Sequence, residues 1–175
     1  MTESGTETTA PYTDAARARV VMAYEACELA NLARAAVPVG EHELDPDGTT
    51  RAPGTVLADA ARVLAAAQRF FEAAAVFERV AGADWLLIGK ILNVAPHTAR
   101  VHFAMAEAAF QQELSSLEGT SSREAARVTS LRAYMTREPL ETALDLDDWV
   151  LRHQDGDDDL GTAPVSGGLV RRKHP

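Results

Sequence analysis

Val56, Val63, Phe70 and Phe77 recur at intervals of seven residues. Ala60, Ala67, Ala74 and Ala81 recur at the same interval on adjoining positions, and Leu57, Leu64 and Phe71 widen the face. A seven-residue apolar repeat is the pattern of one helix laid along another, and alanine at a core position lets the two backbones approach closely. The repeat therefore predicts a helix from about Val56 to Ala81 that needs a second helical surface to cover it. Two surfaces qualify: another helix of the same chain, or a second copy of the chain. The face is wide enough to serve both.

The rest of the chain reads as helices too. Apolar residues make up 46% of the sequence and aromatics only 6%, with alanine, the best helix former, prominent among the apolar set. The fold class is all-α, a helical bundle with long antiparallel helices. A first helix runs from a cap at Thr13 or Asp14 to about Ala36, stopped by Val37-Pro38, with the stripe Met22, Ala26, Leu29, Ala33, Ala36. Residues 38–54 form a Pro-, Gly- and Asp-rich loop. Gly82 ends the heptad helix and Asp84 caps the next. Helices over 84–92 and 96–118 follow, the second carrying Phe103, Ala106, Phe110, Leu114 and Leu117 on one face. A short helix from Ser121 or Ser122 to about Met135 comes next, and Asp145 is placed to cap a last one over Leu146–His153. Residues 1–12 and 154–175 read as disordered ends, which leaves a helical domain over 13–153.

Several function classes are set aside at this stage. There is no apolar run of about 18 residues for a membrane span, and the acidic, polar start lacks a signal peptide's basic and apolar regions. Cys27 is the only cysteine, which suits a reducing cytoplasm. Net charge is −9, awkward for a nucleic-acid binder, but residues 1–54 alone hold nine acids against four bases. The distribution softens the objection.

The segment from Asp84 to Ala106 has the requirements of a helix-turn-helix. Ile88 and Leu92 face inward, Gly89 is the small residue at the helix crossing, Asn93 tolerates positive φ, and Val94 plugs the corner. Pro96 occupies a natural first helical position, and Ala99 and Phe103 hold the second helix. Gly82, Asp84, Trp85, Ile88, Gly89, Leu92, Asn93 and Val94 match the run G-x-S-W-x-x-I-G-x-x-L-G-V-S, allowing Asp for Ser and Asn for Gly. The segment thus resembles the helix-turn-helix of small actinobacterial proteins and of sigma-factor region 4. An excess of arginine (15) over lysine (2) agrees with a GC-rich genome of that kind. The resemblance implies a DNA-binding transcriptional regulator or accessory factor.

The outward candidates for DNA contact are Lys90, His97, Thr98, Arg100, Val101 and His102. Arg can read guanine bidentately and Thr can meet a thymine methyl. The sequence departs from the resembled run at Ala95, Pro96 and His97, where Ser and then basic or amide residues are usual. Only Lys90 and Arg100 are permanent cations between residues 84 and 106, which implies few phosphate contacts. A second reading follows: an adaptor that keeps the helix-turn-helix and binds a protein partner. The heptad residues Val56, Val63, Phe70 and Phe77 are expected in a core or homodimer seam.

Other chemistry finds little purchase. His97 and His102 lie five residues apart, on different helix faces, so no metal site is expected. Glu25 and Glu28 share a face without a Glu-x-x-His motif and read as a solvated edge. No phosphate-cradling loop or nucleophile motif is present. Neither catalysis nor a cofactor is expected. The acidic run Asp155 to Asp159 and the basic Arg171-Arg172-Lys173 are read as a charged tail.

Overall fold

The computed structural model describes residues 12–118, 131–154 and 160–169. They form six α-helices: α1 (Asp14–Ala35), α2 (Thr55–Val80), α3 (Trp85–Leu92), α4 (Pro96–Glu118), α5 (Leu131–Arg137) and α6 (Pro139–His153). Among the described residues the extended backbone pairs at a single β-bridge, Leu44 with Thr50, inside the 38–54 loop. The all-α class read from the sequence is the observed one. The disordered ends expected at 1–12 and 154–175 lie mostly outside the described residues, as does the start of the helix expected from Ser121 or Ser122.

The helix ends follow from local chemistry. The Ala16 amide donates to Thr13 Oγ1 at 3.1 Å, satisfying one of the unpaired donors at the start of α1. Gly82, at φ 109°, ends α2 in the left-handed region. One boundary differs from expectation. Asp145 caps nothing, because α6 already starts at Pro139 and runs unbroken past it. A proline at the first turn has its φ preset for a helix, and Leu140, Ala143, Leu146 and Val150 then give α6 a continuous apolar face.

Two cores share α1. Towards α2, Ala18 packs with Val76 and with Phe110 of α4, while Val21 packs with Ala73 and with Met135 of α5. Towards α6, Val20 packs with Ala143, Leu146, Val165 and Leu169. The buried stripe of α1 is therefore not the expected Met22–Ala36 line, whose last members Ala33 and Ala36 are exposed. Likewise the fully buried line of α2 runs through Ala66 and Ala73, the latter packed on Val21 of α1. Phe70 and Phe77 are half-buried beside that seam and Val56 is exposed. Small side chains occupy the line of contact because two helices can approach most closely there.

Glu25 corrects another expectation. It is buried, not a solvated edge, and accepts from Arg69 Nε of α2 at 3.0 Å. The pair ties α1 to α2 and gives the buried carboxylate a charged donor. Two further polar contacts tie distant segments together. Arg17, also buried, donates to the carbonyls of Thr136 and Arg137 at the end of α5, where the helix dipole favours a cation. Arg132 of α5 reaches Glu113 of α4 at 3.3 Å. Burial pushes the Glu113 carboxyl above its usual range, although Arg132 pulls it down.

Residues 160–169 are not a loose tail. Val165 and Leu169 are buried against α1 and α6. Asp147 of α6, itself buried, accepts from the amides of Val165 (2.6 Å) and Ser166 (3.1 Å) and from the Ser166 hydroxyl. Arg19 of α1 donates to the Val165 carbonyl at 2.6 Å. A carboxylate accepting several bonds in a buried place is worth more than a neutral one. Asp147→Ala should lower stability by roughly 2–3 kcal/mol in urea unfolding. Asp148→Ala, at the exposed neighbour, should change it by less than about 0.5 kcal/mol. Equal effects would mean that the segment is not held by Asp147.

Candidate nucleic-acid interface

The tight corner between α3 and α4 begins with its caps. Asp84 accepts from the Leu87 amide at 2.7 Å and opens α3. Asn93 closes α3 in the left-handed region (φ 55°, ψ 42°), the single non-glycine residue with positive φ among those described. Asparagine tolerates that conformation better than most L-residues. The Val94 amide then donates back to the Gly89 carbonyl at 2.9 Å, and Pro96 starts α4.

Gly89 sits where the two helices cross. A Cβ there would lie 2.8 Å from the Val94 carbonyl oxygen and 3.2 Å from Pro96 Cα. Both neighbours are backbone, so no side-chain rotation relieves the clash. Behind the crossing, Ile88, Ala99 and Phe103 are buried with Ala75 of α2, flanked by Trp85 and Leu92. Phe103 meets Phe71 edge-on at 5.2 Å and stacks parallel to Trp85 at 6.5 Å, contacts that set the angle of α4. Val94 departs from its expected role: its side chain is 40% exposed, and its backbone, not its side chain, closes the corner.

Arg79 clamps the unit to α2. It donates to the Ala83 carbonyl at 2.6 Å, reaches Glu107 of α4 at 3.4 Å, and lies over the Trp85 ring at 4.6 Å. One guanidinium thus joins three helices. Its place in the last turn of α2, where cations suit the helix dipole, was the one sequence signal for it.

The six candidate contact residues are all exposed. His97, Thr98, Arg100, Val101 and His102 occupy the first two turns of α4, with Lys90 on α3 beside them in the motif. Lys90 and Arg100 form no ion pair among the described residues. The other side chains divide by their position round the helix. Val101 lies opposite Phe103, at the centre of the outward face, and Met105 is one turn beyond it; they are 75% and 81% exposed. Arg100 is about 100° round from Val101, at the edge of that face. His102 is turned towards α2, its ring 4.6 Å from Phe103 and 6.2 Å from Phe71, so it also shields the core.

An apolar surface continues from this unit onto α2. Phe71, Ala74, Ile88, Ile91 and Leu92 line a shallow groove of about 130 Å³ with Phe103. Along α2 the surface extends to Leu64 and Leu57, which are 62% and 75% exposed. No residue from Thr55 to Ala65 is fully buried. The amino-terminal half of α2 and the carboxy-terminal half of α1 together form a hairpin whose outer apolar flank no described residue covers.

Among the described residues no helix is long and apolar enough to cross a membrane, and no three His, Cys, Asp or Glu side chains gather to hold a metal ion. Comparison with protein-family models, with curated proteins and with solved structures found no match.

The crossing itself can be tested. Gly89→Ala should destabilise the protein by about 1–3 kcal/mol in thermal or urea unfolding, because the added methyl meets the backbone of Val94 and Pro96. Lys90→Ala, its exposed neighbour, should fall within about 0.5 kcal/mol of the parent. A silent Gly89→Ala would mean that α3 and α4 do not cross at this distance.

Proposed function

We propose that this chain is a cytoplasmic DNA-binding protein of the helix-turn-helix type, a transcriptional regulator or accessory factor that acts by binding and not by catalysis. The observation that carries the reading is the crossing at Gly89. Its backbone contacts, the left-handed Asn93 and the buried Phe103 hold α4 rigidly against α3 while leaving its first turns outward. A rigid helix presented by its first turns is what major-groove docking requires. The outward surface of those turns carries no acid before Glu107, and Arg79 pairs that one. Arg100 supplies a base-reading group, Val101 an apolar contact for a thymine methyl, and Lys90 a phosphate contact.

The same reading includes a homodimer. The exposed stripe Leu57, Leu64 and Phe71 has the seven-residue spacing of a helix seam, and a second copy of the hairpin would cover it. A twofold pair would present two α4 helices to successive half-sites, which offsets the few cations each protomer brings. Light scattering should give a mass near twice the 18.8 kDa of the chain at micromolar concentration. Leu64→Glu should return it to the monomer while leaving the helical content intact. A monomer at every accessible concentration would remove the dimer from the reading.

A second function has its own observation in favour. The centre of the outward face of α4 is Val101 and Met105, not a cation, and an exposed apolar centre suits a protein partner. Titration with DNA over a range of salt separates the two. If DNA is the ligand, affinity falls steeply with salt, Arg100→Ala costs about 1–3 kcal/mol on a specific site, and Lys90→Ala weakens all sequences alike. If DNA affinity is absent at low salt, or untouched by Arg100→Ala while a protein complex is lost, the adaptor reading replaces the regulator.

A further inference from the structure

A cleft of about 310 Å³ opens between α1, α5 and α6, on helices that take no part in the α3–α4 unit. Its volume is that of a site for a small organic ligand. Three of the chain's five tyrosines and tryptophans line it: Tyr24 of α1, Tyr134 of α5 and Trp149 of α6. Met135 and Leu146, both buried, and the exposed Leu131 add to its apolar lining.

Its charge is lopsided. Glu141 and Asp145 stand one turn apart on α6 and both line the cleft, against one cation, Arg152. The Nε of Arg152 is already committed to the Asp148 carbonyl at 3.0 Å. Glu28 adds to the negative side. After burial, its field is the next cause that raises both the Tyr24 hydroxyl and the Cys27 thiol above their ordinary ranges.

The polar tips of two of the aromatic walls are also in use. Trp149 Nε1 donates to Asn31 Oδ1 at 3.0 Å, and the Tyr134 hydroxyl donates to Glu141. An anionic ligand would need those donors. Arg137 already lies over the Tyr134 ring at 5.9 Å and His153 stacks on Trp149 at 4.4 Å, so each of these rings keeps one face for a ligand; the faces of Tyr and Trp attract cations.

We propose that this cleft binds a hydrophobic organic cation, an aromatic or quaternary ammonium compound, held against Tyr24, Tyr134 and Trp149 and balanced by Glu141 and Asp145. The site is independent of whether α4 meets DNA. Apolar substituents fill the space beside Met135 and Leu146, the cationic centre lies on the rings, and the two carboxylates neutralise it without a buried ion pair having to form.

The test uses the full chain carrying Trp85→Phe, which leaves Trp149 as the sole tryptophan fluorophore. Benzyltrimethylammonium and tetraphenylphosphonium are titrated as probes, beside neopentylbenzene as the uncharged isostere of the first and phenylacetate as an anion. Saturable quenching is expected with at least one cation, about tenfold tighter than with either control. Glu141→Gln with Asp145→Asn, both at exposed positions, should weaken that cation by about tenfold or more while circular dichroism stays unchanged. Calorimetry on the parent chain should give the same order of affinities, which removes dependence on the Trp85 substitution. The proposal is overturned if neither cation saturates at millimolar concentration, if phenylacetate or neopentylbenzene binds as tightly, or if the double substitution leaves the affinity unchanged.

Discussion

Val20 and Val21 are neighbours in sequence, about 100° apart round a helix, and both are completely buried. Each belongs to a different core, Val20 to the one shared with α6 and Val21 to the one shared with α2 and α5. A single helix clad on two sides is the constraint on which the rest depends. The helices that carry the candidate interface hang on one side of α1 through α2, and the cleft between α1, α5 and α6 runs between the two cores, lined by Met135 of one and Leu146 of the other. The core behind the α3–α4 crossing holds no α1 residue, but Val76, Phe110 and Met135 are all buried against this helix. The polar ties of α1 reinforce the arrangement, since Glu25 pins it to α2 while Arg17 and Arg19 reach α5 and residue 165.

The helix-turn-helix unit shows a different economy. Its precision comes from backbone proximity at one glycine and from a single large side chain, Phe103, that touches α2, α3 and its own helix. Arg79 then locks the third side. Little of this uses charge on the outer surface, and the first turns of α4 carry no acid and one permanent cation, Arg100. On the proposed reading, such a surface would owe its selectivity to shape and to a few side chains, with less help from long-range attraction.

Local signals were the legible ones. Thr13, Gly82, Asp84 and Asn93 mark helix ends through bonds to residues three or four away, and the sequence places those atoms directly. The stripe Phe103, Ala106, Phe110, Leu114 was also legible, since α4 buries one face only. The side of α1 that faces each neighbour was not, because two cores on different faces erase a single apolar periodicity. The heptad of α2 was visible, yet its buried line runs through Ala66 and Ala73, and alanines are too common in this chain to mark one register. Asp147 could not be told from Asp148, because what separates them is the position of residues 165 and 166, far along the chain. Of the candidate interface, the scaffold residues were readable in advance and Arg79 was not, its partners being spread over three helices.

The docking of residues 160–169 has a consequence for how the chain acquires its structure. Arg19 and Val165 are bonded across 146 residues, and the Val20 core needs Leu169 as well. Local helices form in microseconds, whereas pairing of such distant segments is slow because chain entropy must be lost first. During synthesis, α1 leaves the ribosome early and keeps its α6-facing side wet until residue 169 has followed it. The α2–α4 side can consolidate meanwhile. Until then the apolar side of α1 that carries Val20 is open to misassociation.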